Sequence, residues 1–120
     1  MMSHTKVTMS ARRVTAQVSA IDIQGEVTAS AEDMLMEAYN QAGGARTIIL
    51  NFDRLDYMNS SGIGLLVTLL IRANRQGEQL VAVSMSDHYR HIFDLTGLNQ
   101  AIIIYDTEAD ALSALIGDMR

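Results

Sequence analysis

Hydrophobic and polar residues alternate in two segments near the start of the chain. The segments "KVTMSA" and "RVTAQVSAIDIQG" are also rich in β-branched residues, and this pattern predicts β-strands at about residues 5–10 and 14–24. Gly25 ends the second strand. Because only a short turn separates the two strands, we expect them to form an antiparallel hairpin.

The pattern then changes to helical spacing. The segment "SAEDMLMEAYNQAGG" opens with Ser30, which Asp33 follows three residues later as in a capping box, and Gly43–Gly44 stops the helix. Apolar residues recur three and four positions apart and are predicted to face the core. They are Leu35, Ala38, Tyr39 and Ala42.

Apolar strands and amphipathic helices alternate along the rest of the chain. The buried strands are "RTIILNF", "QLVAVSM" and "AIIIY"; predicted helices cover residues 62–76, run from Ser86 to Gly97, and begin at Thr107. Core-facing residues of the last two helices are Tyr89, Ile92 and Phe93, and Leu112, Leu115 and Ile116. The alternation predicts parallel crossovers. The sequence therefore predicts one α/β domain over residues 1–120. Its mixed central sheet would have an N-terminal antiparallel hairpin, then parallel βα units, with about four helices.

Composition narrows the function classes. The 120 residues include no cysteine, which excludes a disulfide framework and a thiolate metal site. The net charge of −5 argues against nucleic-acid binding, because Arg12–Arg13 is the only basic doublet and is interpreted as a solvated strand end. No apolar segment is long enough for a membrane span, and no secretory signal is evident. We expect a soluble, cytoplasmic protein.

The stretch "DYMNSSGIGLL" places two serines at the start of the helix over residues 62–76. A helix N-terminus carries free N–H groups and a partial positive charge, so it stabilises a phosphate. Of Ser60 and Ser61, one is expected to cap the helix and the other to face solvent. The alternative interpretation of the local sequence is a plain helix cap and turn.

The same helix has an unusually wide apolar stripe. The residues predicted to pack on the sheet are Ile63, Leu66, Val67, Leu70 and Ala73, and the polar wedge opposite holds Gly64, Thr68, Arg72 and Arg75. Leu65 and Leu69 extend the stripe on one flank, and Ile71 extends it on the other. Leu65 and Leu69 lie nearest the wedge and are expected to be partly exposed. Either neighbouring elements bury this flank, or part of the flank is a partner surface.

Other candidate sites have simpler explanations. Asp53 and Asp56 resemble the acidic pair of a receiver domain. Such a domain needs its acidic pair after the first strand and a lysine after the fifth strand, and Lys6 is the only lysine of this chain. His88 and His91 have no third ligand nearby in sequence. No Gly-x-Ser-x-Gly elbow or P-loop is present. We expect no catalytic residue, metal or cofactor.

Three separated segments resemble the STAS domain family, which comprises sulfate transporter and anti-sigma factor antagonist domains. They are "IDIQGEV", "RTIILNFDRLDYMNSSGIGLLVTLLIRANRQG" and "HIFDLTGLNQAIIIYDTEADAL". The resemblance covers nearly the whole chain, with the segments in the family's order.

The resemblance implies an anti-sigma factor antagonist controlled by partner switching. The implied partner is an anti-sigma factor with serine-kinase activity, which phosphorylates Ser60, and a PP2C-type phosphatase reverses the modification. Asn59, Ser61 and Gly62 would form the supporting turn, with Ser61 as the cap. Alternatives are a scaffold subunit of a stressosome-like signalling assembly and, with less support, a small serine-dependent enzyme. We expect a monomer or weak dimer.

The partner-binding residues implied are Glu26 and Thr28 near the end of the early strand, together with Leu65 and Leu69 on the helix. Two positions depart from the family's common pattern. Asn59 stands where an aspartate usually precedes the serines, and Thr28 stands where an acid commonly follows the Gly-Glu stretch. Losing two carboxylates removes like charges that would repel a phosphate.

Overall fold

A computed structural model describes residues 6–118 of the chain. The strands are β1 (Val7–Arg13), β2 (Val18–Val27), β3 (Thr47–Met58), β4 (Gln79–Val83) and β5 (Ile103–Tyr105). The helices are α1 (Glu32–Ala42), α2 (Ser60–Arg75), α3 (Asp87–Thr96) and α4 (Glu108–Asp118), with short 3-10 turns at Ala29–Ala31 and Leu98–Gln100. Within the described residues, no helix is both long and apolar enough to cross a membrane.

The five strands form one mixed sheet in the order β1-β2-β3-β4-β5. β1 pairs antiparallel with β2, and the remaining pairs are parallel. This confirms the predicted α/β class and N-terminal hairpin. The hairpin lies later in the chain than predicted, because alternation continues through β1 and the chain turns where Val14 and Thr15 donate to the carbonyl of Val18. Residue 5, the predicted start of the first strand, lies outside the described residues.

Helices cover the two faces of the sheet unequally. One core cluster combines α1, α2 and α3 with inward residues of the sheet such as Ile21, Ile48 and Leu80. The second cluster, on the opposite face, is smaller, and α4 supplies Ala111 and Leu115 to it. Consequently α4 covers only part of its face, and polar side chains of β1, β2 and β3 remain open on the rest of it.

Most local signals for the helices are confirmed, and the exceptions are instructive. The predicted core residues of α1 are all buried, but Ser30 does not cap that helix. The chain instead enters α1 through the 3-10 turn, and the Ser30 hydroxyl lies 3.0 Å from the hydroxyl of Thr28. In α4, Leu115 is buried as predicted. Ile116 is half exposed, because the inward side of the helix follows Ala111 and Leu115.

The caps of α3 and α4 form as the sequence predicts. Ser86 accepts a hydrogen bond from the N–H of Tyr89, and Gly97 ends α3 with φ 77°. The hydroxyl of Thr107 accepts from the N–H of Asp110 at 3.0 Å. A short polar side chain at each helix start satisfies a backbone donor that the helix leaves free.

The rotation of α2 differs from the predicted one. Leu65 and Leu69 are 8% and 0% exposed, so the expectation that they are partly exposed is wrong. Val67 and Ile71, by contrast, are 38% and 49% exposed. The inward side of α2 consists of Gly62, Leu65, Leu66, Leu69 and Ala73. A broad apolar stripe therefore left the rotation undetermined, and close packing on the sheet decides it.

This rotation predicts different stabilities for two neighbouring truncations. Leu69→Ala should lower the free energy of unfolding by about 2–5 kcal/mol, because it removes a fully buried side chain and leaves a cavity. Ile71→Ala, the matched control, should change it by about 0.5 kcal/mol or less. Urea denaturation of both variants measures the difference. Similar losses in both would show that the rotation is wrong.

Candidate functional site

The carboxyl ends of β2 and β3 meet beside the start of α2. Val27 pairs with Met58 at the last position of the two strands. β3 is longer than the predicted strand, and its pairing with β2 shifts register twice before this end. In open α/β sheets, loops beyond the carboxyl ends of strands are where ligands and partners are commonly bound. We define residues 59–62, which follow β3, as the serine turn.

Asn59 caps α2. Its backbone is extended, with φ −93° and ψ −176°, and its side-chain Oδ1 accepts a hydrogen bond from the N–H of Gly62 at 2.9 Å. The expectation that Ser61 is the cap is therefore wrong. The cap must be the residue before the first helical one, and Asn serves as well as Ser there. Ser60 and Ser61 are the first two helical residues, and both are exposed.

Gly62 lets the first turn of α2 lie directly against the end of β2. A Cβ at this position would lie 2.3 Å from the carbonyl oxygen of Val27 and 2.7 Å from Cγ of Met58. The same Val27 oxygen accepts a hydrogen bond from the N–H of Asn59 at 3.3 Å. Since Val27 is itself buried, any side chain at position 62 would push the helix start away from the sheet.

Tyr89 holds the other side of the turn. The N–H of Met58 donates to the Tyr89 hydroxyl at 2.8 Å, inside the core. The helical spacing predicts Tyr89 on the inward face of α3 but does not indicate this role. A signal was available, because a buried tyrosine hydroxyl needs a hydrogen-bond partner. Through this bond α3 is fastened to the residue just before the serine turn.

Glu26 and Thr28 lie at the same end of the sheet as the serine turn. Glu26 is exposed at the end of β2 and pairs in register with Tyr57 of β3. Thr28 is half-buried and holds the hydroxyl of Ser30. Tyr57, missed by the sequence analysis, is 49% exposed beside Glu26. Glu26 and Tyr57 alternate with the buried Val27 and Met58, so they project from the sheet face opposite α2, while Leu65 and Leu69 lie beneath α2.

The electrostatics of the helix start favour an anion. No acidic residue lies in the first turn of α2, and Arg72 and Arg75 lie in its last. The free N–H groups of a helix start carry about half a positive charge. Among residues 6–118, neither serine hydroxyl of the turn has a side-chain hydrogen bond.

The other sequence candidates lie apart from this turn. Asp53 and Asp56 are exposed along β3, and His88 and His91 are exposed on α3. No group of three or more possible metal-ligating residues occurs within the part of the chain that the structure describes.

Arg12 is not simply a solvated strand end. Its guanidinium binds Asp22 at 2.7 Å and also Glu108 at the start of α4. The hydrogen bond from Arg12 holds the pKa of Asp22 below its usual range. This ion-pair network lies on the open face of the sheet and ties α4 to the hairpin.

Together these features define a small α/β domain that presents a two-serine turn at the carboxyl end of its sheet. Residues 10–111 match the sequence profile of the STAS domain, and the chain belongs to that family. It is 27% identical over 101 residues to the anti-sigma F factor antagonist of Paenibacillus polymyxa, covering 82% of this chain and 86% of the relative.

Solved structures agree with this assignment. The anti-sigma factor antagonist SpoIIAA in its unphosphorylated form superposes with a TM-score of 0.74 at 26% identity, over 92% of this chain and 97% of that one. The Bacillus cell fate determinant SpoIIAA in the phosphorylated form gives a TM-score of 0.70 at 26% identity, over 90% and 99% of the two chains. The second structure shows that a chain of this fold accommodates phosphorylation.

The cap assignment yields a prediction. Asn59→Ala should lower the free energy of unfolding by about 0.5–2 kcal/mol, because it frees the N–H of Gly62. Asn59→Asp is the matched control and should retain wild-type stability, since a carboxylate also caps and interacts favourably with the helix start. Thermal or urea denaturation decides the matter, and equal stability of Asn59→Ala and wild type would contradict the assignment.

Proposed function

We propose that this protein is an anti-sigma factor antagonist whose binding is switched by phosphorylation of Ser60. In the unphosphorylated form it binds an anti-sigma factor with serine-kinase activity and so frees a sigma factor. The kinase modifies Ser60, and a PP2C-type phosphatase restores the binding form. The observation that carries the proposal is the exposed serine pair at the start of α2. The names of the related proteins support the same function.

The proposal selects Ser60 on two grounds. The family resemblance supports the first serine of the pair as the phosphoacceptor. Helix geometry adds a second reason, because Ser60, Gly64, Val67 and Ile71 follow one side of α2 at helical spacing. We call these four residues the α2 file. Ser61 lies about 100° around the helix from this line and faces the side of Thr68 and Arg72.

The α2 file replaces Leu65 and Leu69 as the proposed partner surface on this helix. Val67 and Ile71 are exposed, and the space above Gly64 is open. A groove beside Ile71 separates α2 from α1 and is bordered by Arg72 and Arg75. A partner with an apolar centre and acidic residues around it fits this surface, because the basic residues flank the apolar ones. Thr28 extends the proposed surface beyond the serine turn, and Glu26 and Tyr57 would continue it over the end of the sheet onto the opposite face.

Phosphorylation would act at this surface rather than on the fold. A phosphate adds about −1.5 to −2 charges at the end of the α2 file, where a partner must remove water to bind. The helix start stabilises the phosphorylated form of the protein itself. Asn59 and Thr28 in place of carboxylates leave fewer negative charges to repel the phosphate. Binding is lost through repulsion and desolvation at the interface, and the protein has no catalysis of its own. The proposal places it in the cytoplasm, where sigma factors act.

Phosphorylation is predicted at Ser60 alone. Incubation with the kinase-type anti-sigma factor of the same organism and ATP should add one phosphate, which phosphopeptide mapping assigns to Ser60. Ser61→Ala, the matched control, should still be modified, whereas Ser60→Ala should not. Modification at Ser61 only, or at neither serine, would contradict the assignment.

Two substitutions of Ser60 test the switch itself. Ser60→Ala should bind the anti-sigma factor constitutively, and Ser60→Asp should bind more weakly than wild type because it adds one negative charge. Wild-type affinity in Ser60→Asp, measured by titration calorimetry, would count against the charge mechanism.

The α2 file makes a separate prediction about affinity. Ile71→Ala should weaken anti-sigma factor binding by roughly 2 kcal/mol, as truncation of a central interface residue does. Its melting temperature should stay near that of wild type. Leu95→Ala removes another exposed leucine-sized side chain, near the end of α3, and should leave binding unchanged. Unaltered binding by Ile71→Ala would exclude this side of α2 from the interface.

A further inference from the structure

β1 is the outermost strand of the sheet, and one side of its backbone is free. The N–H of Glu26 donates to the carbonyl of Lys6, and the N–H of Val14 donates to the carbonyl of Val18. Backbone groups of an antiparallel strand point alternately to either side, so the even-numbered residues of β1 face β2. The residues whose N–H and C=O groups face outward are Val7, Met9, Ala11 and Arg13. Within residues 6–118, no strand pairs with them.

The part of this edge from Val7 to Ala11 has none of the usual protection. Edge strands are commonly kept from pairing by short length, proline, bulges or charges in the strand. β5, at the opposite edge, has only three residues. β1 has seven residues and pairs with β2 without a register shift. It is uncharged from Val7 to Ala11, and the chain contains no proline. β1 is therefore a ready template for another strand.

A groove lined by both apolar and polar residues lies beside the same edge. It has a volume of about 400 Å³ and lies between β1 and α1. Met9 and Met34 contribute apolar surface, and Met34 is 38% exposed. Asp33 and Glu37 supply negative charge to it. A strand added to β1 would bury the apolar part and bring its side chains against these acids.

The matching positive charge lies at the other end of the edge. The guanidinium of Arg13 contacts only the carbonyl oxygens of Ala16 and Gly43, at 3.3 and 3.5 Å, and no carboxylate within residues 6–118 pairs with it. α1 begins near the Val7 end of β1, and Gly43, which follows its last residue, lies beside Arg13. Arg13 shares the α1 face of the strand with Met9, which packs against the core.

We propose that two copies of this chain form a dimer by antiparallel pairing of their β1 strands about a two-fold axis near Ser10. The two-fold reverses the strand, so Arg13 of one copy meets Asp33 and Glu37 of the other, twice. A parallel arrangement would instead place Arg13 beside Arg13. The result is a continuous sheet of ten strands, twice the five of one copy. The pairing uses no residue of the serine turn or the α2 file, so it stands apart from the proposed function.

Amide hydrogen exchange combined with sedimentation tests the pairing directly. The full chain should show a reversible monomer–dimer equilibrium. As protein concentration rises, the outward amides of Met9 and Ala11 should become protected, whereas the inward amides of Thr8 and Ser10 should be protected at every concentration. A monomer at millimolar concentration, or a dimer whose outward amides stay unprotected, would overturn the proposal and leave the edge to another occupant, such as an extended peptide of a second protein.

Charge reversal tests the orientation. Arg13→Glu should weaken the dimer about tenfold, since each of the two symmetric ion-pair sites becomes repulsive. The double variant Asp33→Arg with Glu37→Arg should weaken it to the same extent for the same reason. All three changes together should restore the dissociation constant to within about threefold of wild type. Arg75→Glu, a reversal on α2, is the control and should have no effect. Failure of the triple variant to recover would refute the antiparallel register.

Discussion

The contact between Gly62 and the carbonyl of Val27 determines how the serine turn is built. A Cβ at position 62 would lie 2.3 Å from that oxygen, so only glycine allows α2 to begin against the end of β2. The same oxygen accepts the N–H of Asn59, and Asn59 in turn caps the N–H of Gly62. These interactions close a small ring of contacts. Because Gly62 occupies the inward side, the two serines are forced to the outer side of the helix.

This contact also sets the rotation of the whole helix. The residues that follow Gly62 at helical spacing also face the core, and they are Leu65, Leu66, Leu69 and Ala73. The opposite side then carries Ser60, Val67 and Ile71 to the surface. One close backbone approach therefore decides both where a phosphate would sit and which apolar residues would meet a partner beside it. The charge of a phosphate and the apolar surface would lie on one helix. A phosphate could therefore affect the binding of a partner without any conformational change.

The sequence predicted the order of the elements well because its signals are local. Capping by Ser86 and Thr107 depends only on residues within one helical turn. The inward face of α1 follows from a clear periodicity of apolar residues. The failures involve choices that local sequence leaves open. Ser61, Ser60 and Asn59 are all competent caps, and only the path of β3 selects Asn59. Arg12 was misjudged because its partners lie 10 and 96 residues away.

The serine turn is held by two neighbouring elements and by its own cap, which bears on how a phosphate could act there. β2 binds the N–H of Asn59, α3 binds the N–H of Met58 through Tyr89, and the cap binds the N–H of Gly62. The N–H groups of Met58, Asn59 and Gly62 already have acceptors, so a phosphate at Ser60 need not rearrange them. Its effect must then be exerted outward, on whatever contacts the α2 file. α1 lies between that file and the edge of β1, so a dimer formed through β1 would leave both phosphorylation sites and both partner surfaces accessible.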